Sequence, residues 1–256
     1  MITAIIQARM SSSRLPGKIM MEACGKTLLE HMICRVKQSK KLDEIIVATS
    51  INKLDNVIEN WCIKNNIKYF RGPEDDVLKR FKLTKDFFKP DTIVRLCSDC
   101  PLIDPNIIDD VINIYELNNY DFVSNSFPTK GRKYPDGMGV EVFSSDLLEE
   151  TDKLAKKPSE REHVTFFMWM QPEKYNIFRL DNKIDLSNFR LNLDYIEDYC
   201  LIRSIFEALY QQNNKFTMND VIVWLESNPD IYELNKNIIP NQGWLKSFQE
   251  DQKSEY

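Results

Sequence analysis

The residues of this chain best suited to chemistry crowd one stretch near its start: Ala8-Arg9-Met10-Ser11-Ser12-Ser13-Arg14-Leu15-Pro16-Gly17-Lys18. Three cations, Arg9, Arg14 and Lys18, share this loop with several small residues. Small side chains let backbone N–H groups converge on an anion, and the cations add fixed positive charge. A nucleoside triphosphate, a concentrated polyanion, suits such a cradle. A solvated surface loop has the same composition, so residue types alone leave both readings open. Asp99, in Ser98-Asp99-Cys100-Pro101-Leu102-Ile103-Asp104, is the second candidate. It is either a ligand for Mg²⁺, which takes few protein oxygens because it keeps water and phosphate, or a turn carboxylate bonding its own backbone. Asp104, just before Pro105, reads as a helix cap. Asp194, in Arg190-Leu191-Asn192-Leu193-Asp194-Tyr195-Ile196-Glu197-Asp198, is either a second metal oxygen or a cap completed by Glu197.

Two other motifs carry less. Gly25-Lys26-Thr27 resembles the end of a P-loop, but that motif needs Gly at position 20, where this chain has Met. Cys97 and Cys100 have the spacing of a redox or zinc pair, yet no second pair or suitable His accompanies them. They read as small buried residues at a strand end.

The pattern of elements says where these residues must lie. Thr3–Gln7 is an apolar strand that runs directly into the basic loop. Thr27–Lys37 has helical spacing with Thr27 and Glu30 as a capping box, and Asp43–Ser50 contains the continuous apolar run of a doubly covered strand. Helix Leu54–Asn65, strand Lys68–Phe70, helix Glu74–Phe88, strand Asp91–Cys97 and helix Pro105–Asn118 follow. This alternation predicts an α/β fold, a mostly parallel twisted sheet with helices on both faces. Ligands then sit beyond the C-terminal strand ends, at the loops beginning at Gln7, Ser50, Arg71 and Ser98. After Asp121 the rhythm loosens into strand Gly139–Ser144, helix Glu160–Gln171, strands Tyr175–Leu180 and Phe189–Leu193, and helices Tyr195–Gln211 and Met218–Ser227. Residues 125–190 read as a small lobe on the sheet, residues 1–246 as one domain, and 247–256 as a frayed tail.

Composition bounds the function. The chain has 256 residues, 34 basic against 39 acidic side chains, and 43% hydrophobic residues. That apolar fraction supports a core and excludes intrinsic disorder. A sequence pI near 5.3 argues against general nucleic-acid binding. No apolar run is long enough to span a membrane and no signal peptide is evident, so a cytoplasmic protein with reduced thiols is expected.

Ile5 to Lys18 closely resembles the opening of the spore-coat polysaccharide biosynthesis protein F family, relatives of the cytidylyltransferases that activate 3-deoxy-manno-octulosonate and acylneuraminates. Arg71–Arg80, the Asp99 segment, Tyr134–Phe143, Arg161–Thr165 and Leu193–Asp198 follow in the family's order. The resemblance implies a GT-A-like nucleotidyltransferase fold, CTP and Mg²⁺ as ligands, a small carbohydrate or polyol-type acceptor, and a homodimer. It implies that Arg9, Ser12, Arg14 and Lys18 hold the triphosphate, with Lys18 nearest the α-phosphate, and that Ala8, Met10 and Ser13 also bind the nucleotide. Arg71, Glu74, Asp75 and Ser98 would lie near the nucleotide, and Asp99 and Asp194 would bind the metal. Lys18, Arg14 and Asp99 would carry the chemistry. Glu141, Arg161 and His163 fall on the acceptor side, although a lone His on a helix reads first as a satisfied core or surface residue.

The implied reaction needs no protein nucleophile, in keeping with only two histidines in the chain. Two departures stand out. Family members often have Thr-Gly before the metal Asp, where this chain has Cys97-Ser98, and often have Asp at the position of Gly139. The second change removes a carboxylate from the acceptor side. A glycosyltransferase of related fold is the competing reading, but such enzymes usually hold metal through Asp-x-Asp, and Ser98-Asp99-Cys100 offers one carboxylate. A binding protein that lost catalysis would not keep Arg9, Arg14, Lys18, Asp99 and Asp194 together.

Overall fold

A computed structural model describes residues 1–239 and, beyond them, Ser247, Asp251 and Gln252. Its strands are β1 (Ile2–Gln7), β2 (Glu22–Ala23), β3 (Lys26–Thr27), β4 (Glu44–Ser50), β5 (Lys68–Gly72), β6 (Thr92–Cys97), β7 (Phe122–Ser124), β8 (Glu141–Ser144) and β9 (Ile177–Arg179). Seven of them form one sheet in the order β5-β4-β1-β6-β8-β7-β9. The run from β5 to β6 is parallel, β8 is antiparallel to both of its neighbours, and β7 pairs with β9 in parallel.

Alternation along the strands builds two cores. Ala4, Ile6, Val47, Val94 and Leu96 pack on one face, under helices Leu28–Val36, Pro105–Leu117 and Ile196–Leu209. Ile5, Ala48, Ile93, Phe122 and Phe143 pack on the other, against helices Val77–Phe88 and Ser145–Leu154. Successive strand residues point to opposite faces, so strands covered on both sides read as unbroken apolar runs.

The expected α/β architecture is present, with local differences, among them helix Ser145–Leu154 and the short strands β2 and β3, which the sequence reading did not include. Helix Glu160–Gln171 is two short helices, Pro158–Glu162 and Phe166–Trp169, broken at Val164, whose φ of 54° no β-branched residue adopts within a helix. Phe189–Leu193 is not a strand; only an isolated bridge joins Arg190 to Asp136. The helix expected from Glu74 starts at Val77, because the Asp76 side chain accepts from Lys79 N and caps it there. Strand β7 was not foreseen, being three residues long. Residues 125–190, expected as a lobe, contribute β8 and β9 and so continue the sheet.

Of the tail expected to fray, Ser247 is buried, and Asp251 accepts from Ser159 N and Oγ. Residues 240–246, 248–250 and 253–256 lie outside the described residues. No described helix is long and apolar enough to cross a membrane.

Candidate active site

The chain leaves β1 toward β4 and β5 on one side, then returns to place β6 on the other side of β1. The loops after β1 and β6 therefore diverge over a crevice at a topological switch point, where open α/β sheets bind ligands. A cleft of about 370 Å³ opens there. Ser98 N donates to Gln7 O, and Ala8 N to Ala48 O, which fixes the three strand ends against one another.

The basic loop is held from below. Asp55, 1% exposed, accepts from Met10 N at 2.7 Å and from Ser50 N at 3.1 Å. Ser11 Oγ donates to Glu74, whose other oxygen accepts from Asn52 at 2.6 Å. Gly17 closes the loop by donating to Met10 O from a left-handed conformation (φ 72°), which favours glycine. The next residue, Lys18, opens a 3-10 turn and points inward, 8% exposed.

Two carboxylates meet that lysine. Lys18 Nζ lies 2.9 Å from Asp194 Oδ1 and 3.5 Å from Asp99 Oδ2, and it donates to Leu193 O. One backbone bond, Leu193 N to Asp99 O at 2.7 Å, brings the two aspartate segments together across 95 residues of chain. Arg14 Nη2 is 2.8 Å from Asp194 Oδ1, and its guanidinium sits 5.3 Å from the centre of the Tyr195 ring. Burial favours neutral Lys18, yet Asp99 and Asp194 outweigh it and its pKa is raised. Burial likewise favours protonated Asp194, but Lys18 and Arg14 hold its pKa below the ordinary aspartate value. The lysine is thus a fixed cation and Asp194 a fixed anion at neutral pH.

Asp194 does not cap the following helix with Glu197. Asp198 takes that role, accepting from Asp194 N and Tyr195 N at 2.9 Å, which frees the Asp194 side chain for the cleft. Asp104 is the cap the sequence suggests, accepting from Asn106 N and also from Met218 N. As hard oxygen donors beside a phosphate-sized cleft, Asp99 and Asp194 fit Mg²⁺. Among the described residues no group of three or more His, Cys, Asp or Glu could hold a metal.

Of the other sequence-predicted residues, Ala8, Arg9, Ser12, Ser13, Arg14, Lys18, Ser98, Asp99, Asp194, Glu141 and His163 line the cleft. Met10, Arg71, Glu74, Asp75 and Arg161 do not. Met10 supplies backbone bonds that shape the loop. The Arg71 guanidinium is spent on Ser50 O, Asn52 O, Asn56 and Glu59. Glu74 braces Ser11, as above, and Arg161 binds Asp76 and Asp152. Cys97 and Cys100 are free thiols flanking Asp99, and burial pushes the Cys97 thiol up to about 12. Gly25 lies in the β2–β3 turn, away from the cleft.

The sequence did not reveal Gln7, Arg80, Arg95, Arg132, Asp136 or Arg190, all of which line the cleft. On its floor, Arg95 is 2.5 Å from Glu141 and bonds Gln7 Oε1 through two nitrogens, while Thr165 Oγ1 donates to Glu141. The Arg95–Glu141 pair was legible only as opposed positions on two antiparallel strands that the sequence does not pair. At Gly139, where relatives often have Asp, an added Cβ would stand 3.0 Å from Ser126 Oγ, so that hydroxyl occupies the space.

Gly137 holds one wall together. It carries φ 96°, and a Cβ there would fall 2.4 Å from Leu191 C and 2.5 Å from Asn192 N. This approach permits the bonds Leu191 N to Asp136 O and Asp136 N to Phe189 O. Gly137→Ala is expected to destabilise the fold by about 2–4 kcal/mol, from backbone overlap plus left-handed strain. Urea denaturation measures it, and a loss under 1 kcal/mol would contradict the close approach.

His163 lines the cleft with Nε2 2.9 Å from Ser247 Oγ. Burial, then the Arg95 charge, pushes its pKa down to about 3. Below pH 6.5 the unfolded chain binds a proton that the folded chain refuses, so stability is lost as pH falls from about 6.5 toward 3. At pH 5 the loss is at most about 2 kcal/mol. Melting temperatures at pH 7 and pH 5 should therefore differ less in His163→Gln than in the parent; equal differences would show that His163 is not the group responsible.

A family model described as cytidylyltransferase matches residues 3–242. An uncharacterized protein of Methanocaldococcus jannaschii is 36% identical over 93% of this chain and 95% of its own length. The spore coat polysaccharide biosynthesis protein SpsF of Bacillus subtilis is 32% identical over 90% of this chain and 95% of its own. The solved structure of a cytidylyltransferase from Leptospira borgpetersenii superposes with a TM-score of 0.85 at 34% identity, covering 94% of this chain and 99% of that one.

Proposed function

The chain belongs to the cytidylyltransferase family, and from that premise we propose that it moves CMP from CTP to an oxygen of a carbohydrate-type acceptor, releasing pyrophosphate. The acceptor is a sugar, a sugar acid or a phosphorylated polyol. The observation that carries this reading is the convergence of Lys18 with Asp99 and Asp194 beside the Arg9–Arg14 loop. The name of the Bacillus subtilis relative supports a place in surface-polysaccharide synthesis.

In the proposed reaction the acceptor oxygen adds to the α-phosphorus, and the bond from that phosphorus to the pyrophosphate bridging oxygen breaks in line. A hydroxyl acceptor gives its proton to water. Asp99 and Asp194 would hold Mg²⁺, which when bound supplies Lewis-acid neutralisation of phosphate charge. Lys18 brings a permanent positive charge to the α-phosphate oxygens as negative charge builds there, and its burial strengthens the effect. Ser12, Ser13 and Arg14 orient the chain of phosphates. Glu141, Arg95 and Gln7 line the cleft where the acceptor would dock, as a network of satisfied polar groups that binds hydroxyls without net charge.

A pyrophosphate-release screen tests this by crossing the four nucleoside triphosphates with sugar acids, sugar phosphates and polyol phosphates, with and without Mg²⁺. CTP- and Mg²⁺-dependent release with one acceptor class is expected. Release with no preference for CTP would overturn the reading.

A further inference from the structure

Asp194 faces the cleft because the backbone that carries it is held from behind. Asp198, 0% exposed, is the centre of that support. Its Oδ2 accepts from Asp194 N and Tyr195 N at 2.9 Å and from Arg190 Nη2 at 3.0 Å. Its Oδ1 accepts from Arg190 Nε at 2.9 Å and from Asn235 Nδ2 at 2.8 Å. Arg190 thus grips Asp198 with two parallel bonds, and its two terminal nitrogens also reach Asp136 and Asp194, each at 3.5 Å.

Asn235 closes this ring from a distant part of the chain. It is 3% exposed, ends the 3-10 turn Glu233–Asn235, and its Nδ2 donates to Arg190 O at 3.0 Å as well as to Asp198. A carbonyl and a carboxylate both accept, so the amide has one possible orientation and both of its hydrogens are used. The turn has a second anchor: Asn188 Nδ2 donates to the Tyr232 hydroxyl at 2.9 Å, and the Tyr232 ring centre lies 5.0 Å from that of Phe189. Asn235 does not line the cleft. Its side-chain bonds go to Arg190 and Asp198, and it acts on Asp194 through them. Without that amide, a carboxylate oxygen and a carbonyl would each lack a donor, and the segment carrying Asp194 would be held less firmly. Groups that orient a carboxylate ligand set cation affinity along with the ligand itself.

We propose that Asn235 is a positioning residue for the cation site: from outside the cleft it fixes Asp198 and Arg190, and through them the carboxylate of Asp194. The inference rests on the reading that Asp99 and Asp194 hold the divalent cation. It gives the turn at Asn235 a part in cation affinity that no contact with nucleotide or cation would reveal.

The test is calorimetric titration of the full chain with CTP, once with saturating Mn²⁺ and once with EDTA, for the parent, Asn235→Ala, Asn235→Ser and Tyr232→Phe. The readout is the gain in CTP affinity that Mn²⁺ provides; a general loosening of the fold would weaken both titrations alike. Asn235→Ala should cut that gain about tenfold, with metal-free CTP affinity changed less than about threefold. Asn235→Ser, whose hydroxyl can serve one of the two acceptors, should lose about threefold, and it covers the case in which the alanine variant does not fold. Tyr232→Phe removes a bond from the same turn but none from Asp198, and should keep the parental gain. A parental gain in every Asn235 variant that folds, or an equal loss in Tyr232→Phe, overturns the proposal while leaving the cation site standing. A parent that binds CTP no more tightly with Mn²⁺ overturns the cation site and this inference together.

Discussion

Lys18→Ala is expected to lower turnover by about two to four powers of ten, the scale for losing one preorganised charge contact in a secluded site. The ammonium cannot be replaced by a neighbour, because Arg14 and Arg190 approach Asp194 from elsewhere and, among the described residues, only Lys18 makes an ion pair with Asp99. Read from sequence, a loop lysine would leave the melting temperature unchanged when removed. The structure revises that expectation. Lys18 donates to a buried backbone carbonyl and neutralises a mostly buried carboxylate, so its loss should also cost about 1–3 kcal/mol of stability. Single-turnover measurements separate the two effects, since folded variant protein at low temperature isolates the chemical step. Full activity in folded Lys18→Ala would remove this residue from the reaction.

Asp99→Asn should reduce Mg²⁺-dependent pyrophosphate release to background while leaving the fold intact. Its side chain is 34% exposed and, among the described residues, pairs only with Lys18 at 3.5 Å and the Cys100 thiol; the segment is held by its backbone carbonyl, which the substitution keeps. An amide is isosteric but is a poor ligand for a hard divalent cation. Asp194→Asn is a less clean probe, because that carboxylate neutralises Lys18 and Arg14 and accepts from Asn192. Its removal should lower both activity and melting temperature. If Asp99→Asn released pyrophosphate at the parental rate, the metal would have to bind elsewhere.

The contrast between these two aspartates shows how far residue types can be pressed. Asp194 stands just before a helix, where spacing fits a cap completed by Glu197 as well as it fits a metal oxygen. In the structure Asp198, buried beside Arg190, takes the free amides, and Asp194 is left to face Lys18. Likewise the family resemblance implies a place near the nucleotide for Arg71, Glu74 and Asp75. Burial instead turns Arg71 toward helix Asn56–Lys64 and uses Glu74 as a brace beneath the basic loop. Arg80, at the far end of the same Arg71–Arg80 segment, reaches the cleft instead.

Local order along the chain was enough for the alternating strands and helices, the parallel run from β5 to β6, the basic loop and the cap at Asp104, because each depends on periodicity or on side chains bonding backbone a few residues away. The partners of those side chains were decided in three dimensions. Lys18 meets Asp99 and Asp194 through one backbone bond between segments 95 residues apart, Arg95 meets Glu141 across an antiparallel pairing, and Gly137 lets two backbones pass in contact. Charge selects partners by distance and by competition among donors and acceptors, and those distances exist only once the sheet has closed.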